Sequence, residues 1–288
     1  MHEYGLRPFK KDLRNDHVFL TGAAGGIGRL MAVRFAQLGC KLSLSDVEMQ
    51  GLAETKRLCE KAGAQNVCTF ECDVSDKKSI ANGAQIARNT HGSVTILVNN
   101  AGVITGLNVE DQTDAMIDKT IKVNTISHLY TIQEFLPAMI AQKRGHIVTI
   151  ASIAGLVGVN QMSDYVASKH GAVAIDESVR LEIRAKGHSP YVKTTCICPY
   201  LINTGMFEGA GSNFPFWMQD PHRVTDRIIA AVRQEEAFVV LPWRGNIVQL
   251  LKLLPISVSD RMAKFLGAMD SMKTFKGKGA IEKRLPGL

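Results

Sequence analysis

Tyr165 and Lys169 stand four residues apart in Tyr165-Val166-Ala167-Ser168-Lys169, and Ser152 lies thirteen positions upstream. On a helix that spacing puts the phenol and the ammonium on one face. A free phenol ionises near pH ~10, too high for an efficient base in neutral solution. A neighbouring ammonium, or any cation held beside the ring, stabilises the tyrosinate. A tyrosine tuned in this way can take the proton of an alcohol or return one to a carbonyl. A serine hydroxyl within reach would hold the reacting oxygen in line. A lone Tyr-x-x-x-Lys is usually a surface pair, so the reading depends on what accompanies it.

What accompanies it is a glycine-rich turn, Thr21-Gly22-Ala23-Ala24-Gly25-Gly26-Ile27-Gly28, between a β-rich run and a helical one. Gly22, Gly26 and Gly28 would let a pyrophosphate approach the backbone at the helix N-terminus, where free N–H groups and the helix dipole bind it. The context of strand, turn and helix separates this loop from a chance glycine cluster. Asp46 closes the next β-rich run, eighteen residues after Gly28. A carboxylate there can accept from the ribose hydroxyls of an adenosine and would repel a 2′-phosphate. No Arg or Lys lies in Ala23-Ala24-Gly25 or directly after Asp46, so NAD(H) is favoured over NADP(H).

The elements that must position these residues alternate. His17–Thr21, Lys41–Asp46, residues 66–72, 95–99, 146–152 and 193–198 read as strands. Residues 27–38, 49–62 and 77–89 carry helical spacing between them. Continuous apolar runs such as Ile96-Leu97-Val98 fit strands covered on both faces. The expected fold is α/β: a doubly wound, Rossmann-type parallel sheet with ligands at the carboxyl ends of its strands. No linker or repeat divides the chain. Residues 1–242 are expected to form the catalytic domain, with 243–288 as a C-terminal helical appendage of it.

The ordered set resembles the classical short-chain dehydrogenase/reductase family. The resemblance runs from about Asp16 to the C-terminus, and the glycine spacing is that family's. Asn99-Asn100-Ala101-Gly102 matches its Asn-Asn-Ala-Gly signature, and Asp73-Val74 its adenine-contacting pair. The resemblance implies cofactor contacts from Gly22, Gly26, Ile27, Gly28, Asp46, Asp73, Val74, Asn99, Ala101 and Gly102. It adds Tyr165, Lys169, Pro199, Ile202 and Thr204, the last beside the nicotinamide carboxamide. Asn124 matches the helix asparagine that holds a water in the proton relay, so the implied catalytic set is Asn124, Ser152, Tyr165 and Lys169. Most members carry Pro-Gly where this chain has Pro199-Tyr200. The stretch from Cys198 to Gly209, with Gly267–Met272 and Phe275-Lys276-Gly277-Lys278, is similar to the epidermal retinol dehydrogenase and 17β-hydroxysteroid dehydrogenase type 11 branch. A homodimer or homotetramer, joined through the helices around Asp111–Met139 and Asp164–Lys186, is implied in the same way.

Composition sets the outer bounds. The chain has 288 residues, 45% of them apolar and 21% charged, as in an ordinary folded globule. Met1–Arg7 carry no apolar run, so no cleavable secretory signal is expected. The cysteines at 40, 59, 68, 72, 196 and 198 form no Cys-x-x-Cys pair, so no metal site is expected. The net charge is +7, and Lys and Arg outnumber Asp and Glu by nine to three from Leu241 onward. No nucleic-acid recognition motif accompanies that charge, so no nucleic-acid partner is expected. Phe207, Phe214, Phe216 and Trp217 crowd the loop after Thr204, and large apolar side chains there suit a lipophilic substrate. Ile247–Leu254 is apolar nearly all round, with a second stripe at Val258, Met262, Phe265, Leu266 and Met269. These segments fit either a cover for the cleft or a dimer partner, or a contact with a membrane. The expected location is cytoplasmic, with peripheral contact at endoplasmic-reticulum or lipid-droplet membranes as the second reading. The resulting expectation is an NAD-dependent oxidoreductase for a retinoid- or steroid-like alcohol. An NADPH-dependent carbonyl or 3-oxoacyl reductase and a non-catalytic NAD(H)-sensing scaffold are the alternatives.

Overall fold

The computed structural model describes residues 10–211 and 217–276. Phe214, Phe216, Gly277 and Lys278, named above, lie outside the described residues. In chain order the elements are β1 (His17–Thr21), α1 (Gly26–Gln37), β2 (Lys41–Asp46), α2 (Met49–Lys61), β3 (Val67–Glu71), α3 (Lys77–His91) and β4 (Ile96–Asn99). Then come α4 (Asp114–Ile121), α5 (Ser127–Ala141), β5 (Gly145–Ile150), α6 (Ser163–Ala185) and β6 (Val192–Pro199). The described chain continues with α7 (Pro221–Gln234), β7 (Phe238–Leu241), α8 (Ile247–Leu250) and α9 (Ile256–Phe265). The seven strands form one parallel sheet in the order β3-β2-β1-β4-β5-β6-β7. The order reverses between β1 and β4, and the crevice at such a switch point is where α/β sheets bind ligands.

Period-two alternation on β1 shows why the sheet needs helices on both faces. Val18 and Leu20 enter one apolar layer with Met31 and Phe35 of α1, Leu52 of α2, and Ile228 and Val232 of α7. Phe19 points the other way, its ring 4.6 Å from that of Phe135 on α5 and 5.7 Å from that of Phe70 on β3. Ile80, Met139 and Ile183 complete that second layer. A strand buried on both faces therefore reads as an unbroken apolar run.

The last strand and the helix before it, β7 and α7, go beyond the elements read from the sequence. Their signals are present: Asp220 caps α7 by accepting from the Arg223 N–H at 2.8 Å, and Pro221 opens the first turn. Beyond β7 the chain turns back over the carboxyl ends of the strands through α8 and α9.

Candidate active site

The glycine turn is shaped by what it must avoid. Gly22 has φ +67°, and a Cβ there would meet the Ala101 Cα at 2.8 Å. A Cβ on Gly28 would run into the Gly22 carbonyl oxygen and come within 2.7 Å of Asn100 Nδ2. The turn is thus closed against β4 on one side and open toward the cleft on the other. Asn100 supplies the closure: its Nδ2 donates to the carbonyls of Thr21 and Gly22, both at 2.9 Å. Thr21 Oγ1 accepts from the N–H groups of Asn100 at 3.0 Å and Ala101 at 3.1 Å. Gly28→Ala is expected to lower stability by about 1–3 kcal/mol through overpacking. Thermal unfolding of the variant beside the wild type measures the loss.

Asp46 reaches the turn from the end of β2. Its Oδ2 accepts from the Ala24 N–H at 2.8 Å and its Oδ1 from the Glu48 N–H at 3.1 Å. The helix cap of α2 is Glu48, which accepts from the Gly51 N–H at 2.8 Å. Asp46 therefore retains acceptor capacity, since a carboxylate offers about four lone-pair sites. Arg29, which lies past the glycine turn in sequence, also braces it. Its guanidinium donates to the carbonyls of Ala24 and Gly51 and, through Nε, to Thr55 Oγ1 at 3.0 Å. That cation does not line the cleft; Asp46 does.

A cavity of about 420 Å³ runs from this turn across the strand ends. Gly22, Gly26, Ile27, Gly28, Asp46, Asp73, Val74, Ala101 and Gly102 line it, as do Ser152, Tyr165, Lys169, Pro199, Ile202 and Thr204. Two of the residues singled out from the sequence stand apart. Asn99 is the last residue of β4 and projects toward α5, where its Oδ1 accepts from Thr131 Oγ1 at 2.8 Å. Asn100, one step on, takes the cleft side. Asn124 is fully buried in a π-helical turn, Lys122–Ile126, between α4 and α5. Its carboxamide exchanges two 2.9 Å bonds with the backbone of Val103 and donates to Ser168 Oγ at 3.0 Å. The side chain is engaged in clasping the loop after β4.

Tyr165, Ser152 and Lys169 are brought together. All are buried, and the Ser152 hydroxyl lies near enough to the Tyr165 phenol to favour its ionised form. Ser152 also opens the short 3₁₀ turn after β5, accepting from the Ala154 N–H at 3.1 Å, so its hydroxyl has a fixed direction. Lys169 Nζ donates to the Ile150 carbonyl at 2.9 Å and sits 5.7 Å from the centre of the Tyr165 ring. Burial pushes the Tyr165 hydroxyl above its ordinary value, and the Ser152 hydroxyl only partly offsets this. Burial also lowers Lys169 to about 8. Desolvation wins because the phenol lies in an apolar cluster of Ile104, Met162, Leu201, Phe207 and Met272.

The roof of that cluster comes from the end of the described chain. Gly211 N–H donates to the Ser271 carbonyl at 2.7 Å and Lys276 N–H to the Glu208 carbonyl at 2.8 Å. Asn160 N–H donates to the Ala268 carbonyl at 3.0 Å. Met272 is 3% exposed, and Phe207 stands edge-on to Tyr165 at 6.2 Å. Residues 267–276 are therefore a strap over the phenol.

An open parallel sheet with a glycine-rich first turn, beside a buried phenol and serine, is the arrangement of a dinucleotide-dependent oxidoreductase. Residues 16–213 match the family model described as short chain dehydrogenase, and the chain belongs to that family. It is similar to epidermal retinol dehydrogenase 2 of Mus musculus, 40% identical over 272 residues, covering 93% of this chain and 88% of the relative. Estradiol 17-beta-dehydrogenase 11 of Mus musculus is 36% identical over 257 residues, covering 89% and 84%. Among solved structures, a short chain dehydrogenase/reductase from Burkholderia phymatum in complex with NAD gives a TM-score of 0.77 at 24% identity. It covers 90% of this chain and 98% of that one, a likeness of fold. A metagenomic short-chain oxidoreductase in complex with NADP gives 0.67 at 29% identity, covering 80% and 97%.

Proposed function

We propose that this chain oxidises a lipophilic secondary or allylic alcohol, or reduces the matching carbonyl, with NAD(H) as redox partner. The observation that carries the reading is the Tyr165–Ser152 hydroxyl pair at the apolar, roofed end of a cavity whose other end is the glycine turn and Asp46. NAD, when bound, supplies the hydride acceptor or donor and, in its oxidised form, a positive charge. Gly22, Gly26, Ile27 and Gly28 would hold its pyrophosphate, Asp46 its adenosine ribose, Asp73 and Val74 its adenine, and Pro199, Ile202 and Thr204 its nicotinamide side.

Ser152 donates to the substrate oxygen and fixes it against Tyr165. In the oxidative direction Tyr165 takes the hydroxyl proton; in reduction it gives one. A phenol raised by burial is a strong base once ionised, so its ionisation must be coupled to the arrival of positive charge. Lys169 contributes that charge below pH about 8, where its ammonium is intact, and loses it as pH rises through that value. Residues 1–242 act as the catalytic domain in this reading, and residues from 243 onward cover the substrate end. The outer faces of α5 and α6, with Leu129 and Leu181 exposed, are the proposed dimer contact. Peripheral contact of the C-terminal segment with a lipid surface would bring such an alcohol to the cleft.

Asp46→Asn keeps an acceptor for the Ala24 N–H and removes the charge. We expect the preference for NAD over NADP to fall about tenfold or more, read as kcat/KM for each cofactor with one alcohol. An unaltered preference would mean that Asp46 does not meet the ribose. The decisive assay is NADH formation at 340 nm across retinols, hydroxysteroids, aliphatic alcohols and 3-hydroxyacyl thioesters, with either cofactor. Turnover of retinol or a steroid with NAD supports the reading. Activity only with NADP or only on thioesters overturns the substrate class, and NAD binding with no turnover at all makes the chain a sensor.

A further inference from the structure

Residues 243–265 have two apolar sides. One faces inward: Val248 and Leu251 are 4% and 2% exposed and, with Leu266, line the cavity. The other faces out. Trp243 is 75% exposed, Leu253 80%, Ile256 79% and Phe265 70%, and Ile247 and Leu250 continue the same ridge. Stretches that are apolar all round are buried or lie in lipid. Here the inner side is accounted for by the cavity and the outer side is bare. Interleaved with the ridge in sequence stand Arg244, Lys252, Arg261 and Lys264, all exposed, against Asp260, while Lys273 is paired with Asp270 at 2.6 Å.

We propose that this ridge is a docking face for an anionic phospholipid surface, and that the lipophilic alcohol enters the cleft from the bilayer through the layer formed by α8 and α9. The proposal rests on the lipophilic-alcohol reading above for its second half only. The cationic rim selects lipid over a second copy of the chain, because two such rims across a two-fold axis would repel, whereas anionic headgroups complete them. The protruding tryptophan and leucines would sit at headgroup depth, with the cavity one helix-thickness behind them. Among the described residues no helix is long and apolar enough to cross a membrane, so the contact is with the surface.

The test is flotation of the full chain with phosphatidylcholine vesicles, with and without phosphatidylserine, beside sedimentation and NADH binding in buffer. The wild type should float with the anionic vesicles. Leu253→Asp combined with Ile256→Asp should lower partitioning about tenfold or more, and Lys252→Glu, Arg261→Glu and Lys264→Glu together should abolish the anionic preference. NADH binding should be unchanged in both, which separates lost docking from misfolding. A wild type left in the soluble fraction, or variants that float as it does, overturns the proposal. A shift of the Leu253/Ile256 variant from dimer to monomer also overturns it and assigns the ridge to a second copy. Turnover of a lipophilic alcohol in detergent-free buffer is scored separately. Flotation without turnover of any alcohol removes the substrate reading and the entry route and leaves docking standing, whereas turnover without flotation does the reverse.

Discussion

Tyr165→Phe is expected to lower turnover about a hundred- to ten-thousandfold while leaving NADH affinity within about twofold of wild type. The substitution removes one hydroxyl and little else. The ring keeps its edge contact with Phe207 and its place under the Lys169 ammonium, so the wall of the cleft is preserved. What disappears is the hydroxyl beside Ser152 on the substrate side of the cavity. In the proposed reading cofactor affinity depends on the glycine turn and Asp46, which the substitution does not touch. Turnover close to the wild-type rate would sink the proton-transfer role of Tyr165, and an equal loss of NADH binding would mean that the phenol shapes the cofactor site instead.

Acid should destabilise the fold earlier than its carboxylates alone require. His17, His128 and His146 are buried. Burial lowers His17 to about 4 and His128 to about 3, and holds His146 well below its usual value, with Lys11 and Lys193 acting in the same sense. In the unfolded chain each titrates near ~6.5. Between roughly pH 6.5 and 4 the unfolded chain therefore binds more protons, and stability present above that window is lost as pH falls through it. Asp176 opposes this. Burial raises its carboxyl to about 7, so the folded chain holds a proton there that the unfolded chain releases between about 7 and 3.8. Three histidines against one carboxyl leave about two protons, or ~2.5 kcal/mol per pH unit near pH ~5.5. Urea unfolding at a series of pH values should show that slope, and His128→Leu should reduce it by about one proton. Equal stability at about pH 5.5 and 7.5 would mean that these imidazoles are charged and paired in the fold.

The sheet was legible because β-strands covered on both faces leave unbroken apolar runs, and because glycine is demanded where Gly22 and Gly28 press on Ala101 and Asn100. Pairing of Tyr165 with Lys169 followed from helical spacing alone. The balance of effects on the phenol did not, since spacing says which groups meet and nothing about how dry the meeting place is. Asn99 and Asn100 show the same limit. Identical side chains one residue apart take opposite faces of the sheet, and only the paired backbone fixes which one meets Thr21 and which Thr131. For Asn124 the sequence marked the position, but the π-helical turn that aims its carboxamide at Val103 has no spacing rule to announce it. A cover for the cleft was one reading of the C-terminal segments, but its anchorage was beyond reach: residues 267–276 bond to residues 160 and 208–211, and no local pattern records such distant partners.

That strap divides the labour of the chain by position. The pieces proposed to grip the cofactor and move the proton are drawn from Thr21 to Thr204, whereas Phe207, Met272 and Phe275, which close over the phenol, come after them. Exchanges among these three reshape the chamber against which an alcohol is measured and leave the hydroxyl pair in place. A chain arranged in this way can change its diet through drift near its end without rebuilding its chemistry.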